Sequence, residues 1–259
     1  MNTVAMSFLR PTVLAALVAA LFSPAPAHAQ PSEEWRVDFA PLYFWANSLS
    51  GDFSAGPATV PIALDFSKAK DNLGGAFSFH LEVRKGRWGT FADLNFIRLE
   101  SDADFLVGAQ TVQGHLQFDN AMFEAGAAYV VNVPAQMAVI GGLRTYTLSP
   151  KIDFSTGLGG ITPIDEIETS ANAFIGVALR PKLSAKWSLL TRADIGGGDA
   201  NLTWSAEGGL GFRFAHWGGL AFGYKALGID VERENVAVRE YDVVHHGPFF
   251  GLDFHFGGG

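Results

Sequence analysis

Few residues in this chain have the type and spacing for chemistry. "SDAD" sets Asp102 and Asp104 two residues apart, and "HH" supplies His245 and His246. Such carboxylates and imidazoles do acid–base work only when the fold brings them within hydrogen-bond reach of a substrate or a water. Ser170 and His246 can be named as a nucleophile–base pair for acyl-ester cleavage, but no local motif surrounds either. Metal binding is poorly served, because adjacent histidines in a strand point to opposite faces. "IGGGD" (195–199) lacks the Lys and Ser/Thr of a phosphate loop and reads as a tight turn. No catalytic, cofactor-binding or metal-binding residue is therefore assigned, and no cofactor is expected.

The elements that would position these residues are strands. After residue 29, apolar and polar residues alternate with period 2 in ten segments, the mark of strands with two unlike faces. In "AFSFHLEVR", Phe77, Phe79, Leu81 and Val83 oppose Ser78, His80, Glu82 and Arg84. "LTWSAEGGLGFRF" sets Leu202, Trp204, Ala206, Leu210, Phe212 and Phe214 against Thr203, Ser205, Glu207 and Arg213. The first segment, "EWRVDFAPLYFWA", is read with Trp35, Val37, Phe39, Tyr43 and Trp45 on one face. The last, "GPFFGLDFHF", puts Phe250, Leu252, Phe254 and Phe256 on one face and Asp253 and His255 on the other.

Short connections ("KGR", "NVPAQ", "KLSAK", "AH") alternate with long ones at about 47–72, 100–116, 149–169 and 228–241. "TVPIALDF" (59–66) reads as a hairpin extension or a fold into the mouth, and "FSKAKDNL" (66–73) as one helical turn. Short turns at one end and long loops at the other describe an antiparallel up-and-down transmembrane β-barrel. The expected count is about ten strands, within a range of eight to twelve.

Composition agrees. Hydrophobic residues make up 48% and charged ones 17%, against about 25% charged in an ordinary domain. The net charge of −8 argues against nucleic acid as a partner. The N-terminus reads as a cleaved signal peptide over residues 1–29: Arg10 as basic flank, the apolar run Val13–Phe22, and "AHA" as cleavage site. That run is too short to span a bilayer as a helix. Residues 30–259 form one domain, and the absence of cysteine excludes a lipoprotein or a disulfide framework.

Alternation alone fits a soluble, lipocalin-like barrel as well as a membrane one, since the two differ in which face is wet. Trp35, Trp88, Trp187 and Trp217 at strand ends match an interfacial aromatic girdle. The charges Glu82, Arg84, Asp93, Glu124, Arg144, Arg180, Arg192, Asp194, Glu207, Arg213, Lys225 and Asp253 then face the lumen. Mixed signs make them either an ion-pair network that fills the barrel or a narrow polar path for a small solute.

"GLDFHF" (251–256) resembles the C-terminal assembly signal of bacterial outer-membrane barrels, with Gly251, Phe254 and Phe256 in the matching places. It departs in having Phe249 where a polar residue is preferred, and in the Gly257–Gly259 tail that follows, read as flexible. More broadly, "RKGRWGTFADLNF", "LRTYTL", "RADIGGGD", "LGFRF", "GYKALGIDVE" and "YDVVHHGPFFGLDFHF" resemble a family of small proteobacterial outer-membrane barrels of undefined role, OmpA/OmpW-like. The resemblance implies a monomer in the outer membrane of a Gram-negative cell, surrounded by lipid and assembled by periplasmic chaperones and the barrel-assembly machinery. It also raises an omptin-like alternative, in which rim residues such as Asp102, Asp104, His245 and His246 cleave peptides.

Overall fold

A computed structural model describes residues 33–55, 58–64, 73–107, 110–154, 164–165, 168–232 and 238–257. The segment read as a signal peptide and the greater part of "FSKAKDNL" lie outside these residues. Thirteen strands form one sheet: β1 (Arg36–Trp45), β2 (Ser48–Ala55), β3 (Ala58–Leu64), β4 (Leu73–Lys85), β5 (Trp88–Val107), β6 (Gln110–Asn132), β7 (Met137–Phe154), β8 (Ile164–Asp165), β9 (Glu168–Leu179), β10 (Trp187–Gly198), β11 (Leu202–Arg213), β12 (Gly218–Glu232) and β13 (Val238–Phe256). Ten of them, β1-β4-β5-β6-β7-β9-β10-β11-β12-β13, follow one another round a closed antiparallel barrel, sealed by the β1–β13 ladder from Val37↔Phe256 to Trp45↔Phe249. Closure removes the sheet edges that lipid cannot hydrogen-bond.

The four short turns, at 86–87, 133–136, 180–186 and 214–217, lie at one end. At the other end most of the expected loops prove to be strand. β5 and β6 pair without a break out to Val107↔Gln110, and β12 and β13 out to Glu232↔Glu240. β2 continues the path of β1 along β13, and β3 folds back on β2 as the hairpin expected for "TVPIALDF".

The first strand corrects the sequence reading. Its register shifts between Phe39 and Leu42, and its ladder to β4 ends at Ala40↔His80. Pro41 sits in the shift, where it has no N–H to offer a ladder. One extra residue reverses the face of everything after it. Tyr43 and Trp45 therefore turn into the lumen, Trp45 wholly buried, while Leu42 and Phe44 face outward and exposed.

The outer surface is apolar. Leu143, Ile175 and Ile195, on three strands of the wall, are 65%, 62% and 62% exposed. A soluble barrel would hide this face. Trp35, Trp88, Trp187 and Trp217 are all exposed at the short-turn end, packed on neighbouring rings such as Tyr129 and Phe254.

Candidate functional site: the filled lumen

Period 2 sends every second side chain inward, so each strand supplies the lumen with one column of groups. At mid-barrel, Glu124, Arg144, Arg192 and Asp194 close a four-membered ring of charges. Arg144 Nη2 lies 2.7 Å from Glu124 Oε2 and 2.8 Å from Asp194 Oδ1. Arg192 lies 2.5 Å from Glu124 Oε1 and 2.9 Å from Asp194 Oδ2. Each carboxylate is shared by two guanidinium groups and each guanidinium by two carboxylates, so the charge balances locally. Glu124, Arg144 and Asp194 are buried.

Two neighbouring phenylalanines, Phe91 and Phe174, pack against this ring. The Arg144 guanidinium stands 4.9 Å from the Phe174 ring centre, and that of Arg192 5.1 Å from Phe91 and 5.2 Å from Phe174. Planar guanidinium groups stack on aromatic faces in this way. A glycine makes the room: a Cβ on Gly126 would fall 2.7 Å from the Phe91 ring.

Toward the short-turn end a second set runs to the mouth. His80 Nδ1 donates to Asp93 at 2.6 Å, and its Nε2 lies 3.8 Å from Glu82. Glu82 receives Arg180 from across the lumen and lies 3.3 Å from Arg84 Nε. Arg84 also bonds Asp38, which accepts from His255 at 2.6 Å and so ties β4 through β1 to β13. Of the other residues expected in the lumen, Glu207 and Lys225 are Cα partners on the inward faces of β11 and β12. Lys225 Nζ stands 5.3 Å from the Trp45 ring. Asp253 is half-buried near the mouth, and Arg213 is exposed at its rim.

Beyond the ring the interior is mixed rather than polar throughout, with an apolar cluster beside buried polar groups such as Asn95, Asn172, Thr203 and Ser205. Trp45, Leu49, Met122, Tyr146, Leu227, Ile229, Val231, Val243 and Phe249 form one buried apolar cluster on the inward faces. His245 is 1% exposed inside it, accepting at Nδ1 from Asn47 Nδ2 at 2.9 Å, with the Tyr146 ring 5.1 Å away. Asn120 Nδ2 donates to Tyr146 Oη at 2.6 Å. Two groups of inward side chains thus occupy the lumen, the ion-paired set and an apolar cluster, or cap, beyond it.

This geometry scatters the residues singled out for chemistry. His245 lies in the cap, whereas His246 faces outward with its Nδ1 2.7 Å from Tyr224 Oη. Asp102 lies on β5, opposite His115 of β6, strands not adjacent to β13. Ser170 is buried and bonded by Asn172. Among the described residues no cluster of His, Cys, Asp and Glu is suited to a metal. The expected lumen charges omit Asp38 and His80, although each sits on the polar face that the alternation defines; His255, read on the inward face, joins them through Asp38.

Comparison with known proteins bears on the fold. The translocator domain of the autotransporter NalP from Neisseria meningitidis superposes with a TM-score of 0.51 over 95% of each chain, at 13% identity. This chain has the barrel fold of bacterial outer-membrane proteins. Outer membrane protease OmpT from Escherichia coli (TM-score 0.43, 9% identity, 89% of this chain and 99% of that one) and Ail of Yersinia pestis (0.37, 12%, 87% and 99%) are more distant, and neither bears on activity. No protein-family profile and no curated protein sequence matches the chain.

Proposed function

We propose that the protein is a structural β-barrel of a Gram-negative outer membrane whose lumen is sealed at rest. One observation carries this reading: a charge-balanced ring of two arginines and two carboxylates fills the lumen directly beneath an apolar cap. The pairing balances buried charges at mid-barrel, and the bulky apolar side chains of the cap narrow what polar lining is left to a solute. A constitutive narrow channel is the weaker alternative. An omptin-like protease finds no support in the placement of the two histidines on opposite faces of β13.

Outer-membrane residence, export through a cleaved signal, kinship with the OmpA/OmpW-like barrels, a monomeric state and biogenesis through chaperones and the barrel-assembly machinery belong to the same proposal. So does the part of Gly251, Phe254 and Phe256 as assembly signal. Support comes from the apolar outer wall and the aromatic belt at the short-turn end. The test is twofold. Cell fractionation should recover a heat-modifiable band with the outer membrane, and the purified chain in planar bilayers at neutral pH should insert without unitary conductance. Recovery in the soluble periplasm would overturn the first part, and steady conductance the second.

A further inference from the structure

The short-turn end carries charges that the lumen network does not use. Lys85 and Arg87 flank the turn between β4 and β5, Lys182 and Lys186 lie in the connection from β9 to β10, and Arg213 ends β11. All five side chains are exposed, and none has a carboxylate among the described ion pairs. Glu33 comes over Gly86 between the first two without pairing with either.

Their depth is fixed by their neighbours. Arg87 directly precedes Trp88, Lys186 directly precedes Trp187, and Arg213 lies four residues before Trp217. Lys85 Nζ stands 5.4 Å from the ring centre of Trp35. Tryptophans of this kind sit at the headgroup level of a bilayer, so the cations beside them lie at the depth of the lipid phosphates. The opposite end is mixed, with Asp230 and Asp242 in register on β12 and β13 and Arg98 paired to Asp119.

We propose that these cations bind the anionic phosphodiester headgroups of the leaflet at the short-turn end, so that the barrel gathers anionic phospholipid at its base. The inference rests on the membrane reading above. Ammonium and guanidinium groups held at the headgroup plane attract anionic lipid over a range set by the Debye length. The cations arise from the β4–β5 turn and from two neighbouring turns, β9–β10 and β11–β12, which places the site on two arcs of the base. A periplasmic anionic glycan would need cations projecting beyond the aromatic belt, whereas these lie beside it.

The test uses the full chain in phosphatidylcholine nanodiscs containing a minor fraction of phosphatidylglycerol, with mild extraction and mass spectrometry of the lipids that stay bound. The wild type should retain phosphatidylglycerol well above its bulk fraction, and high salt should return the ratio to bulk. The combined variant Lys85→Gln, Arg87→Gln, Lys182→Gln and Lys186→Gln should keep its heat-modifiable gel shift and lose the enrichment. Should that variant not fold, a charge-preserving set (Lys85→Arg, Lys182→Arg, Lys186→Arg) must keep the enrichment, and the salt arm on wild type decides alone. A bulk lipid ratio in the wild type would overturn the proposal while a retained gel shift left the barrel reading standing. So would salt-sensitive binding of soluble anionic glycan without lipid enrichment.

Discussion

Arg144 of β7 and Asp194 of β10 meet at 2.8 Å although β9 stands between their strands. The contact is therefore a chord across the lumen. It joins wall segments that ladder hydrogen bonds connect only through a neighbour. Removing Arg144 would leave Glu124 and Asp194 to share Arg192 alone, with uncompensated charge in a buried site. Arg144→Leu is expected to cost about 3–5 kcal/mol. Arg213→Leu, at the exposed rim, should cost no more than about 1 kcal/mol. Urea midpoints of the two variants in lipid vesicles check the contrast, and equal midpoints would show that the ring contributes nothing special.

A lumen occupied by two groups of side chains should tolerate the loss of one. Trp45→Ala with Leu227→Ala thins the cap but leaves the ion ring, and Glu124→Ala with Arg144→Ala thins the ring but leaves the cap. Each pair alone should remain silent in a planar bilayer, and only the four changes together should yield unitary conductance. Conductance from the cap variant alone would mean that the ion ring is permeable.

What the sequence made legible follows from how strongly each face was marked. Ten barrel strands, the wall-facing residues of β4 and β11 and the charged column of the lumen were readable, because one polar and one apolar residue alternate there. The cap was not. In "GYKALGIDVE" the inward face passes from Lys225 to Leu227, Ile229 and Val231, so the apolar residues change from the outward to the inward face just where the strand continues. Pro41 was visible, but that it adds a bulge and so turns Tyr43 and Trp45 inward depends on the pairing partner. The ring of four charges was legible as composition only, since which acid meets which arginine is set by the shear of the barrel.

The outer wall offers a direct check of orientation. Ile175 is flanked across its ladders by Gly141 and Ile195, on the apolar outward face. An arginine there would face hydrocarbon, at a cost of about 2–4 kcal/mol near the midplane. Ile175→Arg should lower the folded fraction in vesicles, and Ile175→Leu should leave it unchanged. If the two refold alike, this face is not in contact with lipid.

The end of the chain is less free than a run of three glycines suggests. Gly257 holds φ at +74°, and a Cβ there would fall 2.1 Å from the Trp35 carbonyl oxygen, just beyond the closing pair Val37↔Phe256. The first of the three glycines is thus part of the strand end, which corrects the reading of the whole tail as flexible. A left-handed backbone costs an ordinary residue roughly 1–2 kcal/mol, and the clash adds to it. Gly257→Val should therefore slow or reduce closure of β13 on β1, read as a smaller heat-resistant fraction after refolding into vesicles. Deleting Gly257–Gly259 removes the constraint along with the residue and should refold like the full chain. Were Gly257→Val to refold as well as the deletion, the contact with Trp35 would play no part in closing the barrel.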